Sequence, residues 1–328
     1  MPMNSMRFAA IAALVAGCAA AQAPSIERLD PALDALIPKD AKVEKVAGNF
    51  KFVEGPLWRT DGHLWFSDLM ANMIRSITPD GKASVILENS GGVSTAPPGG
   101  YVGSNGLVAD KDGAILLCQH TNRDIARLDK NMKLTPYIQK YDGKRFNSPN
   151  DLVYRSDGSL YFTDPTYGLP KGDTDPAREL TINGVFRYAN GKVEAVIKDL
   201  TRPNGIAFSP DGNTLYVSNS EPKKLWMKYD VAKDGSVSNG KVLFDVTNVR
   251  SSAVPDGMKV DSKGNIYGSA AGGIWILSPE GKHLGTIKLP ENASNCNWGD
   301  DGKSLYITAV TSVYRVKMAV AGEKALYR

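Results

Sequence analysis

Six times along this chain a short strand-like run enters a tight turn on Asp-Gly or Lys-Gly and returns as a second strand, and this repeat constrains the fold more than any other feature. The turns are Asp61-Gly62, Asp112-Gly113, Asp157-Gly158, Asp211-Gly212, Lys263-Gly264 and Asp301-Gly302. Each leads into apolar alternation such as Leu160-Tyr161-Phe162-Thr163 or Leu305-Tyr306-Ile307-Thr308, the pattern of a β-hairpin. The period of roughly 40–55 residues is the length of one four-stranded propeller blade. Further turns at Asp80-Gly81, Asn190-Gly191, Asp234-Gly235 and Glu280-Gly281 would join the two outer strands of a blade. The expectation is an all-β, six-bladed β-propeller over residues 43–328. The last unit has too little chain for four strands, so a strand near Ala41–Ala47 is expected to close it and cover the open edges.

This topology predicts where chemistry collects. The innermost strands of a propeller run in one sense, so residues at their starts, Glu54, Asn105, Asn150, Asn204 and Asp256, meet at one mouth of the central channel. The second strand returns to the same mouth, which predicts Asp68, His120, Asp164 and Asn219 around the same pocket. Taken singly, an Asn in Pro-Asn-Gly or an Asp in Pro-Asp-Gly is an ordinary turn former. Their shared register in different units is what argues for a site.

Composition fits the repeat. The chain has 32 glycines and 19 prolines in 328 residues and no helix-period stretch after its leader, as suits a turn-rich β protein. The net charge of +4 is spread without basic blocks, which argues against nucleic acid as a partner. Residues 1–24 read as a secretory signal: a weakly basic Met1 to Arg7, an apolar run from Phe8 to Ala16 and the small residues Ala19-Ala20-Ala21, too short for a membrane span. Val15-Ala16-Gly17-Cys18 also resembles a lipobox, so Cys18 is a candidate lipid anchor beside ordinary cleavage a few residues later. The mature protein is expected to be exported, periplasmic or lipid-anchored in the bacterial envelope and without a transmembrane helix. Residues 25–42 form an N-terminal connector.

Other chemistries lack their signatures. There is no GxSxG elbow, no HExxH and no glycine-rich phosphate loop leading into a helix. With only His63, His120 and His283, a histidine-rich zinc site is disfavoured. Cys118 and Cys296 fall in units that are not neighbours, which predicts two buried thiols rather than a disulfide. What remains is a ring of hard oxygen donors. The carboxylates of Glu54 and Asp256 would balance a divalent charge, and Asn150 and Asn204 would add neutral carbonyl oxygens. The expected cofactor is one divalent cation, Ca²⁺ first, with Mg²⁺, Mn²⁺ or Zn²⁺ as alternatives.

The segments Glu54-Gly55-Pro56-Leu57-Trp58, Ser104-Asn105-Gly106-Leu107, Ser148-Pro149-Asn150-Asp151-Leu152, Phe162-Thr163-Asp164-Pro165-Thr166-Tyr167-Gly168, Arg202-Pro203-Asn204-Gly205-Ile206 and Pro255-Asp256-Gly257-Met258 resemble the gluconolactonase/regucalcin (senescence marker protein) family. So do Cys118-Gln119-His120 with Arg123, and Ser294-Asn295-Cys296-Asn297-Trp298-Gly299. The resemblance runs from about Val43 to Arg315 and is closer to bacterial gluconolactonases than to animal regucalcin. Regucalcin-like members carry an arginine at the position of Ser148. It implies a six-bladed propeller with one catalytic cation in the channel, bound at Glu54, Asn150, Asn204 and Asp256, and a small lactone as substrate.

The expected reaction is hydrolysis of a sugar lactone by metal-activated water. Asp256 is the candidate general base, with direct attack by its carboxylate as the competing version. Asn105 and His120 are the candidate substrate-binding residues. Two other readings share the ligand ring: a phosphotriesterase of the diisopropyl fluorophosphatase type, and a propeller that binds a ligand without turnover. Two long segments, Glu88 to Ser104 and Pro165 to Asn183, should join strands at the ligand mouth.

Overall fold

The computed structural model describes residues 23–95 and 101–327. The leader with Cys18, and the Pro97-Pro98-Gly99-Gly100 part of the first long segment, lie outside the described residues. The six expected blades are present, each an antiparallel sheet numbered here from the first hairpin. Their innermost strands are Val53–Trp58, Ser104–Ala109, Leu152–Tyr154, Pro203–Phe208, Met258–Val260 and Ala293–Gly299. Their second strands are Leu64–Asp68, Ile115–Gln119, Leu160–Asp164, Thr214–Asn219, Ile266–Ala270 and Ser304–Ala309. The turn chemistry is as the sequence implies. Gly62, Gly158, Gly212 and Gly302 all have positive φ, and the aspartate before each accepts the backbone N–H two residues on.

The second strands are buried on both faces, which is why they read as near-continuous apolar runs such as Ile115–Gln119. Outer strands such as Ala83–Glu88 are largely exposed. The blades share no single core. Six apolar clusters lie one at each blade-to-blade interface: Phe162, for example, packs toward blade two, while its neighbour Tyr161 packs toward blade four. Successive side chains of one strand thus serve opposite interfaces, the period-two rule acting twice.

Both ends of the chain lock the ring. Val43–Ala47 pairs antiparallel with Ser312–Lys317 and supplies the fourth strand of blade six, as the short final unit suggested. Ahead of it, Ser25–Arg28 adds a fifth strand to blade five beside His283–Lys288. A 3-10 turn over Pro31–Ala35, capped by Asp30, then drops Leu33 into the cluster between blades five and six, joined by Leu36 and Ile37. At the other end the C-terminal tail crosses the far mouth of the channel. Gly322 bridges to Asp261 and Tyr327 packs edge-on against Tyr154, so the tail covers the end of the channel remote from Glu54. Cys118 and Cys296 are buried free thiols. Among the described residues, no helix is long and apolar enough to cross a membrane.

Candidate active site

Glu54, Asn105, Asn150, Asn204 and Asp256, one from each of blades one to five, line a single cavity of about 130 Å³ at the mouth of the channel, together with His120. The local fold explains the convergence. In blades one, two and four the innermost strand slips register against the second strand beside the site residue, between Glu54 and Leu57, Ser104 and Leu107, and Pro203 and Ile206. Such bulges re-aim a side chain that regular pairing would point into a neighbouring blade. The glycine that follows permits the inner strands to crowd around the axis. A Cβ on Gly55 would lie 2.2 Å from the Asn105 carbonyl oxygen, and one on Gly205 2.4 Å from that of Asp256. The Glu-Gly and Asn-Gly pairs are therefore close-approach signals within strands, not reverse turns.

A second repeat fixes the backbone of the site residues. The penultimate position of each second strand is Ser67, Cys118, Thr163, Ser218, Ser269 or Thr308, all buried. Ser67 Oγ donates to the Asn105 carbonyl at 2.7 Å, Thr163 Oγ1 to the Asn204 carbonyl at 2.7 Å and Ser218 Oγ to the Asp256 carbonyl at 2.7 Å. Each of these hydroxyls ties its own blade to the site residue of the next. The signal was present in the sequence as a hydroxyl recurring at one place in the hairpin.

Three expected pocket residues have a different task. Asp68, Asp164 and Asn219 do not line the cavity. Their side chains turn back to accept the two backbone N–H groups just before the site residue: Lys51 and Phe52 ahead of Glu54, Asn147 and Ser148 ahead of Asn150, and Thr201 and Arg202 ahead of Asn204. They strap down the entry to each innermost strand. Burial pushes Asp164 up to about 7 against the pull of the Asn147 and Ser148 N–H groups, and Arg75 pairs with Asp68 at 2.8 Å. The pocket is reached one residue later, by Leu69 and His120. His120 belongs there because it follows Gln119, the blade-two counterpart of Asp68.

The electrostatics of the cavity are compatible with a bound cation. Glu54 is 2% exposed and Asp256 faces it in the same cavity. Burial raises the Glu54 carboxyl well above its ordinary range, and the nearby Asp256 and Asp151 carboxylates raise it further. Burial also raises Asp256, opposed by the Asn204 amide and the Gly257 N–H. Buried Glu54 and half-buried Asp256, sharing one cavity, need either protons or a positive charge. The Asn204 side chain is oriented for the latter. Its Nδ2 donates to Ser220 Oγ at 3.2 Å, and Ser220 Oγ donates to the Pro255 carbonyl at 2.7 Å, while Asn204 Oδ1 is buried with no partner. Two carboxylates and two amide oxygens make a donor set that fits a hard divalent cation. Asn295, which sequence reasoning passed over, donates from Nδ2 to Glu54 Oε2 at 3.0 Å across the seam between blades six and one.

His120 is neutral, with burial pushing it down to about 3. Asn105 Nδ2 lies 3.4 Å from His120 Nε2 and can only donate, which places the imidazole proton on Nδ1, a buried atom without a protein partner. The mouth is aromatic. Tyr101 stacks on Phe52 at 6.0 Å and leans toward His120 at 6.1 Å, while Tyr167 stands on the opposite long segment. Both long segments thus contribute a tyrosine to the cavity, as their placement suggested.

Comparison with known proteins places these features in context. The model of the SMP-30/Gluconolactonase/LRE-like region matches residues 52–311. A gluconolactonase of Zymomonas mobilis is 37% identical over 313 residues, covering 90% of this chain and 87% of its own. The solved structure of a gluconolactonase from Xanthomonas campestris superposes with a TM-score of 0.78 at 28% identity, covering 90% of this chain and 96% of that one. A calcium-binding regucalcin from Agrobacterium tumefaciens shares the fold, with a TM-score of 0.67 at 18% identity over 85% of this chain and 94% of its own.

Proposed function

The chain belongs to the SMP-30/gluconolactonase/LRE-like family and is a lactone-hydrolysing enzyme, and on that premise we propose that it opens sugar lactones at a divalent cation held by Glu54, Asn150, Asn204 and Asp256. One observation carries the metal reading: buried Glu54 and half-buried Asp256 share a cavity wall with an amide oxygen, Asn204 Oδ1, that has no protein partner. The kinship with calcium-binding regucalcin supports Ca²⁺ as the first cation to test. Bound there, such a cation would polarise the lactone carbonyl and stabilise the charge that develops on its oxygen, worth several kcal/mol.

The remaining work falls to side chains. Asp256 takes a proton from the water that attacks the carbonyl carbon, and the ring C–O bond breaks as its oxygen regains a proton, leaving the hydroxy acid. Asn105 and the Nδ1–H of His120 hold substrate oxygens; a neutral imidazole can donate there without drawing a counter-charge into the site. The hydroxyls of Ser67, Thr163 and Ser218 keep the site residues in place, so little reorganisation accompanies the reaction. Export of the mature chain, with Cys18 as lipid-attachment candidate, completes the proposal.

The test is proton release from a panel of δ- and γ-lactones, with and without chelator, followed by metal add-back. Lactone turnover that disappears on chelation and returns with Ca²⁺ is expected. Turnover of diisopropyl fluorophosphate but of no lactone, or lactone turnover indifferent to chelator, would sink it.

A further inference from the structure

Three buried polar atoms on residues of the cavity wall have no protein partner: Asn204 Oδ1, His120 Nδ1 and the Tyr167 hydroxyl. The first is assigned to the cation and the second to substrate in the reading above. The third is unused. Tyr167 is half-buried as a residue, but its hydroxyl oxygen is fully buried, near Ser220, Asn204 and Asp256. Ser220 Oγ gives its proton to the Pro255 carbonyl and accepts from Asn204 Nδ2, and neither residue makes a hydrogen bond to the phenol.

The phenol is also held firmly. Its segment is pinned on both sides, Ser148 Oγ donating to the Pro165 carbonyl at 2.7 Å and accepting from the Gly168 N–H at 2.8 Å. Thr166 Oγ1 donates to Asp173 Oδ1 at 2.9 Å. Asp173 in turn receives Arg202 Nη2 at 3.1 Å, and the Arg202 guanidinium lies over the Tyr167 ring at 5.8 Å. An ordered donor left without an acceptor is costly unless a ligand supplies one. A site built to hydrogen-bond a substrate hydroxyl discriminates sharply against analogues lacking it, because the buried group is then left unpaired.

We infer that Tyr167 is a specificity-determining residue whose hydroxyl hydrogen-bonds a ring hydroxyl of the bound lactone, so that the site favours polyhydroxylated lactones over bare ones. This rests on the lactone-hydrolysing reading. The segment from Pro165 to Asn183 then acts as the frame that carries the sugar-reading group to the cavity.

Tyr167→Phe keeps the ring beneath Arg202 and removes only the donor. With the full protein and saturating Ca²⁺, kcat/KM is measured for D-glucono-δ-lactone, for its monodeoxy analogues and for δ-valerolactone. The ratio of sugar lactone to bare lactone should fall roughly 10–100-fold in the variant. One monodeoxy analogue that wild type handles poorly should lose its handicap, since its missing hydroxyl no longer strands a donor. Each ratio is taken within one preparation, so a loss of folded fraction cancels. If both substrates slow equally in Tyr167→Phe, or neither does, and no deoxy handicap disappears, the inference is overturned. If wild type hydrolyses no lactone at all, the function proposed above fails first, and that is visible before any variant is made.

Discussion

Thr163→Val tests whether the hydroxyl ring holds the site together. Thr163 is fully buried; its Oγ1 donates to the Asn204 carbonyl at 2.7 Å and accepts from the Asp151 N–H at 3.1 Å, joining blades three and four directly behind two site residues. Valine has nearly the same shape but satisfies neither group. Leaving two buried backbone groups unpaired costs ~1–3 kcal/mol each, and the added methyl returns ~0.8 kcal/mol, so the net loss should be about 1–5 kcal/mol. For a domain of this size that lowers the melting temperature by roughly 3–10 °C. Thr163→Ser is the control, since it keeps both hydrogen bonds and loses one methyl, at about 1 kcal/mol. Thermal and urea unfolding of the three proteins decide the matter. Should Thr163→Val melt within about 2 °C of wild type, or Thr163→Ser fall as far as Thr163→Val, the hydroxyl is not what ties the blades, and the penalty assigned to the two orphaned backbone groups is wrong.

Further outcomes follow from the same geometry. Ser220→Ala releases Asn204 Nδ2, so Ca²⁺ affinity measured by calorimetry should weaken about 10–100-fold with the donor set intact; an unchanged affinity contradicts the orienting role. Asp256→Asn should retain the fold and lose about 10²–10⁴-fold in kcat, because an amide cannot take the proton, whereas Glu54→Gln should mainly weaken metal binding and recover rate as Ca²⁺ is raised. Near wild-type turnover by Asp256→Asn would remove it as the base. Asp124 has Oδ1 unpartnered, and burial raises it from 3.8 to about 7, opposed by Arg145 and by the Asn122 amide. Between about pH 4 and pH 7 the folded chain therefore holds a proton that the unfolded chain has lost, so this group makes stability fall as pH rises through that window and level off above it. Asp124→Asn lacks that loss. Its melting temperature relative to wild type should climb from pH 4 to pH 7 and then stay flat; a pH-independent difference counts against the shift.

The sequence by itself determined the blade count and the identity of the converging residues. Both depend on information a few residues long: Asp-Gly turns fix each hairpin, and each hairpin fixes where its innermost strand begins, so Glu54, Asn105, Asn150, Asn204 and Asp256 fall at equivalent places without knowledge of any contact. The near-continuous apolar runs of the second strands reflect burial on both faces, and the two faces serve different interfaces. Tertiary structure alone decided what stands behind those residues. Asp68, Asp164 and Asn219 sit at the expected strand ends, yet their side chains turn to the preceding backbone, because a buried acceptor next to unpaired N–H groups gains more there than in the cavity. Asn295 meets Glu54 across 241 residues of chain, and only ring closure brings them together. Ser220 and Tyr167 became legible once their unused or committed hydrogen bonds could be counted, and such counts belong to packing between blades, which no local pattern encodes.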